Sequence, residues 1–159
     1  MLTHLDKDGQ PHMVDISGKT ASARTATAQA LVEFPTGTLP ADAQTEIQTK
    51  KGPVFQTAII AGTQAVKRTA DLVPFCHPLP LNGIDFSIQL HDPATVHIQC
   101  TVKTHHKTGV EMEALTGVTV AALTIYDMCK SLSHDIVIRD TRLLEKTGGK
   151  SNYRDTDNG

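Results

Sequence analysis

The spacing of apolar residues changes period along the chain, and each change predicts an element. From Thr20 to Phe34 small, β-branched and aliphatic residues predict a long strand, with Ala21, Ala23, Thr25 and Thr27 on one face and Pro35 as its end. A polar, part-helical connector from Thr36 to Lys51 leads to Gly52-Pro53, a proline suited to the first turn of a helix. That helix is predicted from about Val54 to Leu72, with Phe55, Ala58, Ile59, Gly62, Ala65, Val66 and Thr69 inward. That buried side is small enough to let another backbone come close. Ile84–Leu90 and Thr95–Val102 alternate as two strands joined at His91-Asp92-Pro93-Ala94. A second helix is predicted over Gly109–Lys130 and a last strand over Asp135–Leu144.

The order strand, helix, strand, strand, helix, strand predicts an α+β fold of the ferredoxin-like split βαβ type, an antiparallel sheet with two main helices on one face. At 159 residues one domain is expected, with mobile ends at 1–12 and 147–159. Such a fold hosts many activities, so function must be read from the sites.

The second helix carries the densest chemistry. Val118, Ala121, Ala122, Ile125, Cys129 and Leu132 recur at the helical period and would face a core. Glu113, Thr116, Val120, Thr124 and Asp127 form another stripe that begins and ends with a carboxylate. Lys130, one turn past Asp127, is either its surface ion-pair partner or the second half of an acid–base pair. Glu113 and Asp127 are fourteen residues apart, hence about 21 Å along one helix with an offset of only about 40°. One compact ligand cannot easily touch both. A site combining the Glu113 end of one subunit with the Asp127 and Lys130 end of another is therefore expected, as antiparallel helices across a two-fold axis would allow.

Charge narrows the partners. With 17 acids against 15 Lys and Arg, no global field draws the chain to DNA or a membrane surface, so any anion site must be local. An aromatic content of 4% without Trp removes the platforms on which single-stranded nucleic acid stacks. No apolar run approaches a bilayer span and MLTHLDKDGQP lacks a signal-peptide core, so a cytoplasmic protein is expected. Cys76, Cys100 and Cys129 show no paired spacing, which suits buried free thiols in a reducing compartment.

Three segments offer local anion sites, each with a plainer reading beside it. Lys50-Lys51-Gly52-Pro53 precedes a helix N-terminus and is either a phosphate seat or a solvated basic turn. Lys146-Thr147-Gly148-Gly149-Lys150 is either a flexible phosphate cover or a basic tail. Arg24, among small residues of the first strand, is a further cation whose fork suits phosphate oxygens. His77 sits in the proline-braced loop 74–80, where a fixed imidazole can exchange protons near neutral pH. Adjacent Cys76 and His77 without a second ligand pair are a weak zinc signal, and no protein-held metal is expected.

Met13-Val14-Asp15-Ile16-Ser17, Lys51-Gly52, Ala65-Val66-Lys67-Arg68-Thr69, Pro74-Phe75-Cys76-His77-Pro78-Leu79, Lys107 to Thr116, Tyr126-Asp127-Met128-Cys129-Lys130 and Lys146 to Ser151 closely resemble the cyclic pyranopterin monophosphate synthase family, also called molybdenum cofactor biosynthesis protein C. The likeness covers nearly the whole chain. It implies conversion of a 3′,8-cyclized dihydro-GTP into cyclic pyranopterin monophosphate and diphosphate, on a ferredoxin-like fold assembled as a hexamer, a trimer of dimers. By the same resemblance Asp127, Lys130 and Lys51 are the catalytic candidates. Phe75, Cys76, His77, Met112 and Glu113 look like substrate-binding positions, and Arg24 and Lys146 like phosphate contacts. No cofactor is implied, although Mg2+ can accompany the triphosphate. Two positions depart from the family pattern: Pro53 stands where an acid is expected, and Lys50 where His is expected.

Within that reading Lys130 is the acid and Asp127 the base or orienter. Lys51 would weaken the hold of Lys130 on its proton and Asp127 would strengthen it. A non-catalytic nucleotide-sensing module of the same fold would need the phosphate cations but not Asp127 and Lys130. A metal-dependent phosphohydrolase would stop in chelator.

Overall fold

A computed structural model describes residues 5–40 and 42–156. Strand β1, Ser22–Glu33, is followed by the short strands β2, Gln48–Thr49, and β3, Gly52–Pro53. Helix α1, Val54–Lys67, and the single-turn α2, Thr69–Leu72, lead to β4, Gly83–Asp92, and β5, Thr95–His106. Helix α3, Glu111–Cys129, then returns the chain to β6, Val137–Thr147, and β7, Tyr153–Arg154.

The main sheet runs β4-β5-β1-β6-β7, antiparallel throughout, with α1 and α3 on one face. Its first four strands have the order and connections of the expected ferredoxin-like fold. Alternation on the central strand explains the layering: Ala26, Ala28, Ala30 and Val32 are buried beneath the helices, while Thr25, Thr27 and Leu31 point to the open face. On that open face Gln29 donates to Asp140 and meets His97 at 3.1 Å, a polar network beside a shift in β1–β6 register where Asp140 adopts φ 56°.

Small residues set the helix spacing. A Cβ on Gly62 would lie 3.0 Å from the Gly117 carbonyl oxygen and 2.5 Å from the Phe86 ring, so α1, α3 and β4 meet closely there. This is the close approach expected of the small buried side of that helix.

Several boundaries differ from the sequence reading. The helix expected to reach Leu72 breaks at Arg68, whose φ of −112° and ψ of 14° leave the helical region. The Thr69 hydroxyl then donates to the Ala65 and Val66 carbonyls in place of the continuing ladder. The connector forms turns and the β2–β3 hairpin, with no helix among its described residues. Leu132, expected in the core, lies past the end of α3 and is exposed.

The expected mobile ends fall partly outside the described residues. Within the described part, Leu5 bridges to Pro11, and Tyr153–Arg154 pair with β6 as a strand the pattern of apolar residues did not announce. Gly148 makes that return possible: its φ is 84°, and any side chain there would overlap the Ala23 carbonyl oxygen.

Candidate active site

The chain passes His77 and Met112 at one end of α3 and Asp127 and Lys130 at the other. The N-terminal end borders a cavity of about 650 Å³ lined by Phe75, Cys76 and His77 of the loop after α2, by Met112 and Glu113, and by Val14, Ile16 and Lys19. His77 holds this wall together. Its Nε2 lies 2.8 Å from the Val14 carbonyl oxygen, which can only accept, so that nitrogen donates to it. Lys107 donates to the Ser17 carbonyl at 2.7 Å and secures the same N-terminal segment.

Glu113 is only 5% exposed, unlike the rest of its expected stripe. Burial pushes its carboxyl up to about 7, and the Glu111 carboxylate adds to the shift. The Cys76 thiol is also raised, chiefly by desolvation and then by Glu113.

A smaller basin of about 240 Å³ adjoins the first and shares Thr108, Gly109 and Glu111 with it. Its cations are Arg24, Lys146 and Lys150. Arg24 is braced by the His106 and Lys107 carbonyls at 3.1 and 3.3 Å, while Lys146 pairs with Glu111 at 3.1 Å. The structure thus brings Arg24 together with the 146–150 segment, which sequence distance alone did not require. An apolar cavity beside a basin of guanidinium and ammonium groups fits a planar heterocycle carrying phosphates.

Asp127 and Lys130 lie at the opposite end and line neither of these two cavities. Lys130 donates to Asp127 Oδ1 at 2.7 Å, and Lys51 reaches Oδ2 at 3.1 Å and the Asp127 carbonyl at 3.0 Å. The hydrogen bond from Lys130, then that from Lys51, holds the Asp127 carboxyl below the usual carboxylate range. Lys130 is raised in turn, first by its hydrogen bond to Asp127. The attraction of Asp127 therefore sets the direction of the Lys130 shift.

Two expectations change here. The α1 N-terminus is not an open phosphate seat, because the Glu46 carboxylate accepts from the Phe55 and Gln56 amides at 2.6 and 3.1 Å. Of the three thiols expected to be buried, Cys100 and Cys129 are, and burial raises them to about 12 and about 11, whereas Cys76 is partly exposed. Among the described residues no group of three or more His, Cys, Asp or Glu could hold a metal ion, and no helix is long and apolar enough to cross a membrane.

Sequence reasoning missed Lys19 and Glu46 as parts of these sites, and covered Glu111 only within the segment from Lys107 to Thr116. Glu111 was detectable as a second acid in the first turn of α3, whereas nothing local marked Lys19.

Comparison with known proteins settles the lineage. The MoaC family profile matches residues 13–149. The chain belongs to the MoaC family. It is 54% identical to a cyclic pyranopterin monophosphate synthase of Xanthomonas oryzae, over 94% of this chain and 90% of that protein. It is 48% identical to a protein of the same name from Desulfitobacterium hafniense, over 96% and 92% of the two. It is also 58% identical to a molybdenum cofactor biosynthesis bifunctional protein of Synechocystis, where 98% of this chain covers 46% of the relative; the chain thus spans about half of that longer protein.

Proposed function

We propose that this MoaC-family enzyme converts (8S)-3′,8-cyclo-7,8-dihydroguanosine 5′-triphosphate into cyclic pyranopterin monophosphate and diphosphate, as a phosphorus–oxygen lyase of molybdenum cofactor biosynthesis. The observation that carries the reading is the apolar cavity that adjoins the Arg24–Lys146–Lys150 basin, together with relatives named as synthases of that product. The purine-derived ring lies against Phe75, Cys76, His77 and Met112, where Glu113, poised near neutrality, exchanges hydrogen bonds with ring nitrogens. The triphosphate lies in the basin. A ribose-derived hydroxyl attacks the α-phosphorus, the bond to the β-phosphate oxygen breaks, and the cations stabilise the departing diphosphate. Mg2+ belongs to the substrate in this reading, since among the described residues Glu111 is the one carboxylate lining the basin.

Ring opening and reclosure need an acid and a base, which Lys130 and Asp127 supply, with Lys51 beside them. They reach the ring from a second subunit. Support comes from the length of α3 and from Ile60 and Leu123, which stand 61% and 58% exposed on the outer helix layer where a second copy would cover them. The assembly in this reading is a hexamer, a trimer of such dimers, in the cytoplasm.

Diphosphate release from the cyclized dihydro-GTP tests the reaction, and binding without release would assign a nucleotide sensor. Mixing inactive Glu113→Ala and Asp127→Ala chains tests the shared site. Activity should return on mixing; continued inactivity despite confirmed subunit exchange would refute sharing.

A further inference from the structure

Pro53 occupies the N-cap of α1 in an extended conformation, φ −72° and ψ 126°, and makes no side-chain capping bond. A proline has no polar side-chain atom to offer, so the first amides of the helix need an acceptor from elsewhere. Glu46 supplies it from the connector. Its Oε1 accepts from the Phe55 amide at 2.6 Å and the Ile47 amide at 2.8 Å, and its Oε2 from the Gln56 amide at 3.1 Å. A carboxylate there also complements the helix dipole.

The clamp closes around the hairpin that presents Lys51. The Val54 amide donates to the Ile47 carbonyl at 2.9 Å, Gln48 pairs with Pro53 and Thr49 with Gly52, which leaves Lys50 and Lys51 at the turn. Gly52 has a φ of 112°, and the Thr49 hydroxyl bonds the Gly52 carbonyl at 3.1 Å. Two residue pairs do not make a stable hairpin in water. Burial of Ala43 and Ile47 anchors one end, and the Glu46 carboxylate ties the other to α1.

We propose that Glu46 is a positioning residue for the Lys51–Asp127–Lys130 cluster: by capping α1 from outside the helix it fixes the 48–53 hairpin and so keeps the Lys51 amine on the Asp127 carboxylate. The catalytic meaning of this rests on the reading of those three residues given above. The geometric claim does not. Lys130 on its own helix and Lys51 from the hairpin are the ammonium groups on Asp127, so a loosened hairpin removes one of the two.

The test compares wild type, Glu46→Ala, Glu46→Gln and the double change Glu46→Ala with Pro53→Asp, which restores a cap at the position where one is stereochemically allowed. The readouts are kcat, KM and a carbon-13 titration of the Asp127 carboxyl without substrate. Glu46→Ala is expected to lower kcat about tenfold with KM within about twofold, and to move the Asp127 titration up toward the ordinary carboxylate value. Glu46→Gln, which keeps a neutral acceptor, should fall between, and the double change should recover both readouts. A folded Glu46→Ala protein whose Asp127 titrates as in wild type overturns the proposal. Should Glu46→Ala fail to fold, an unshifted Asp127 in Glu46→Gln overturns it equally. A wild-type protein that releases no diphosphate would count against the reaction, while the substrate-free titration would still decide the role of Glu46.

Discussion

The Lys51 ammonium meets both the carboxylate and the backbone carbonyl of Asp127, a residue 76 positions later in the chain. One amine thereby joins the hairpin before α1 to the last turn of α3. Lys51→Met should lower kcat on the cyclized substrate by about 100-fold or more while leaving diphosphate affinity at the Arg24 basin nearly unchanged. Equal losses in turnover and in diphosphate affinity would place Lys51 on the phosphates instead.

Glu113 makes stability depend on pH in a definite direction. Its folded value, about 7, lies above the ordinary 4.5, so between those values the folded chain holds a proton that the unfolded chain has released. Its contribution is therefore most favourable below pH 4.5, is lost as pH rises through 7, and levels off above. The span is roughly 3 kcal/mol. Denaturant titrations of Glu113→Gln between pH 5 and 8 should show a flatter profile and, at pH 8, greater stability than wild type.

Lys146 is held by Glu111 in the basic basin at 3.1 Å. Neutralising that acid frees the amine for an incoming anion, so Glu111→Gln should bind inorganic tripolyphosphate about threefold tighter than wild type, measured by calorimetry. Arg24→Ala should weaken the same binding by about tenfold or more. Tighter binding in Arg24→Ala would remove the basin from the phosphate path.

Thiol chemistry reports on the larger cavity. Cys100 and Cys129 are buried and strongly raised, so iodoacetamide should modify Cys76 alone in the folded protein. Because the Cys76 thiol is raised too, labelling should be slow at pH 7 and quicken toward pH 9. Mass spectrometry of the labelled peptide checks the site, and bound substrate should protect it.

Gly148 tests the return of the tail. Alanine there must abandon a φ of 84° or displace the Ala23 carbonyl, so Gly148→Ala should cost about 2–4 kcal/mol and weaken polyphosphate binding through the neighbouring Lys146 and Lys150. Denaturant unfolding and calorimetry measure the two effects.

The main elements were legible because their burial follows simple periods: β1 alternates, and α3 repeats Val118, Ala121, Ala122 and Ile125 toward the core. Arg24 and the 146–150 segment were legible as cations but not as neighbours, since antiparallel pairing of β1 with β6 brings them together. The break at Arg68 was hidden because Thr69 ends α1 through its hydroxyl rather than through Gly or Pro. Glu46 was hidden for a related reason. Its cap spans nine residues to Phe55 and has no fixed local spacing, whereas an ordinary cap lies within the first turn.

The buried alanines of β1 give the sheet almost no side-chain height beneath α3. They act as a fulcrum under a lever that carries Glu113 at one tip and Asp127 at the other. A bulkier residue at Ala28 would tilt the whole rod and disturb both of its ends together. Damage at a tip would be confined to one. Variants of this strand should therefore fail to complement either class of end mutant, which sets apart faults in the support from faults in the chemistry.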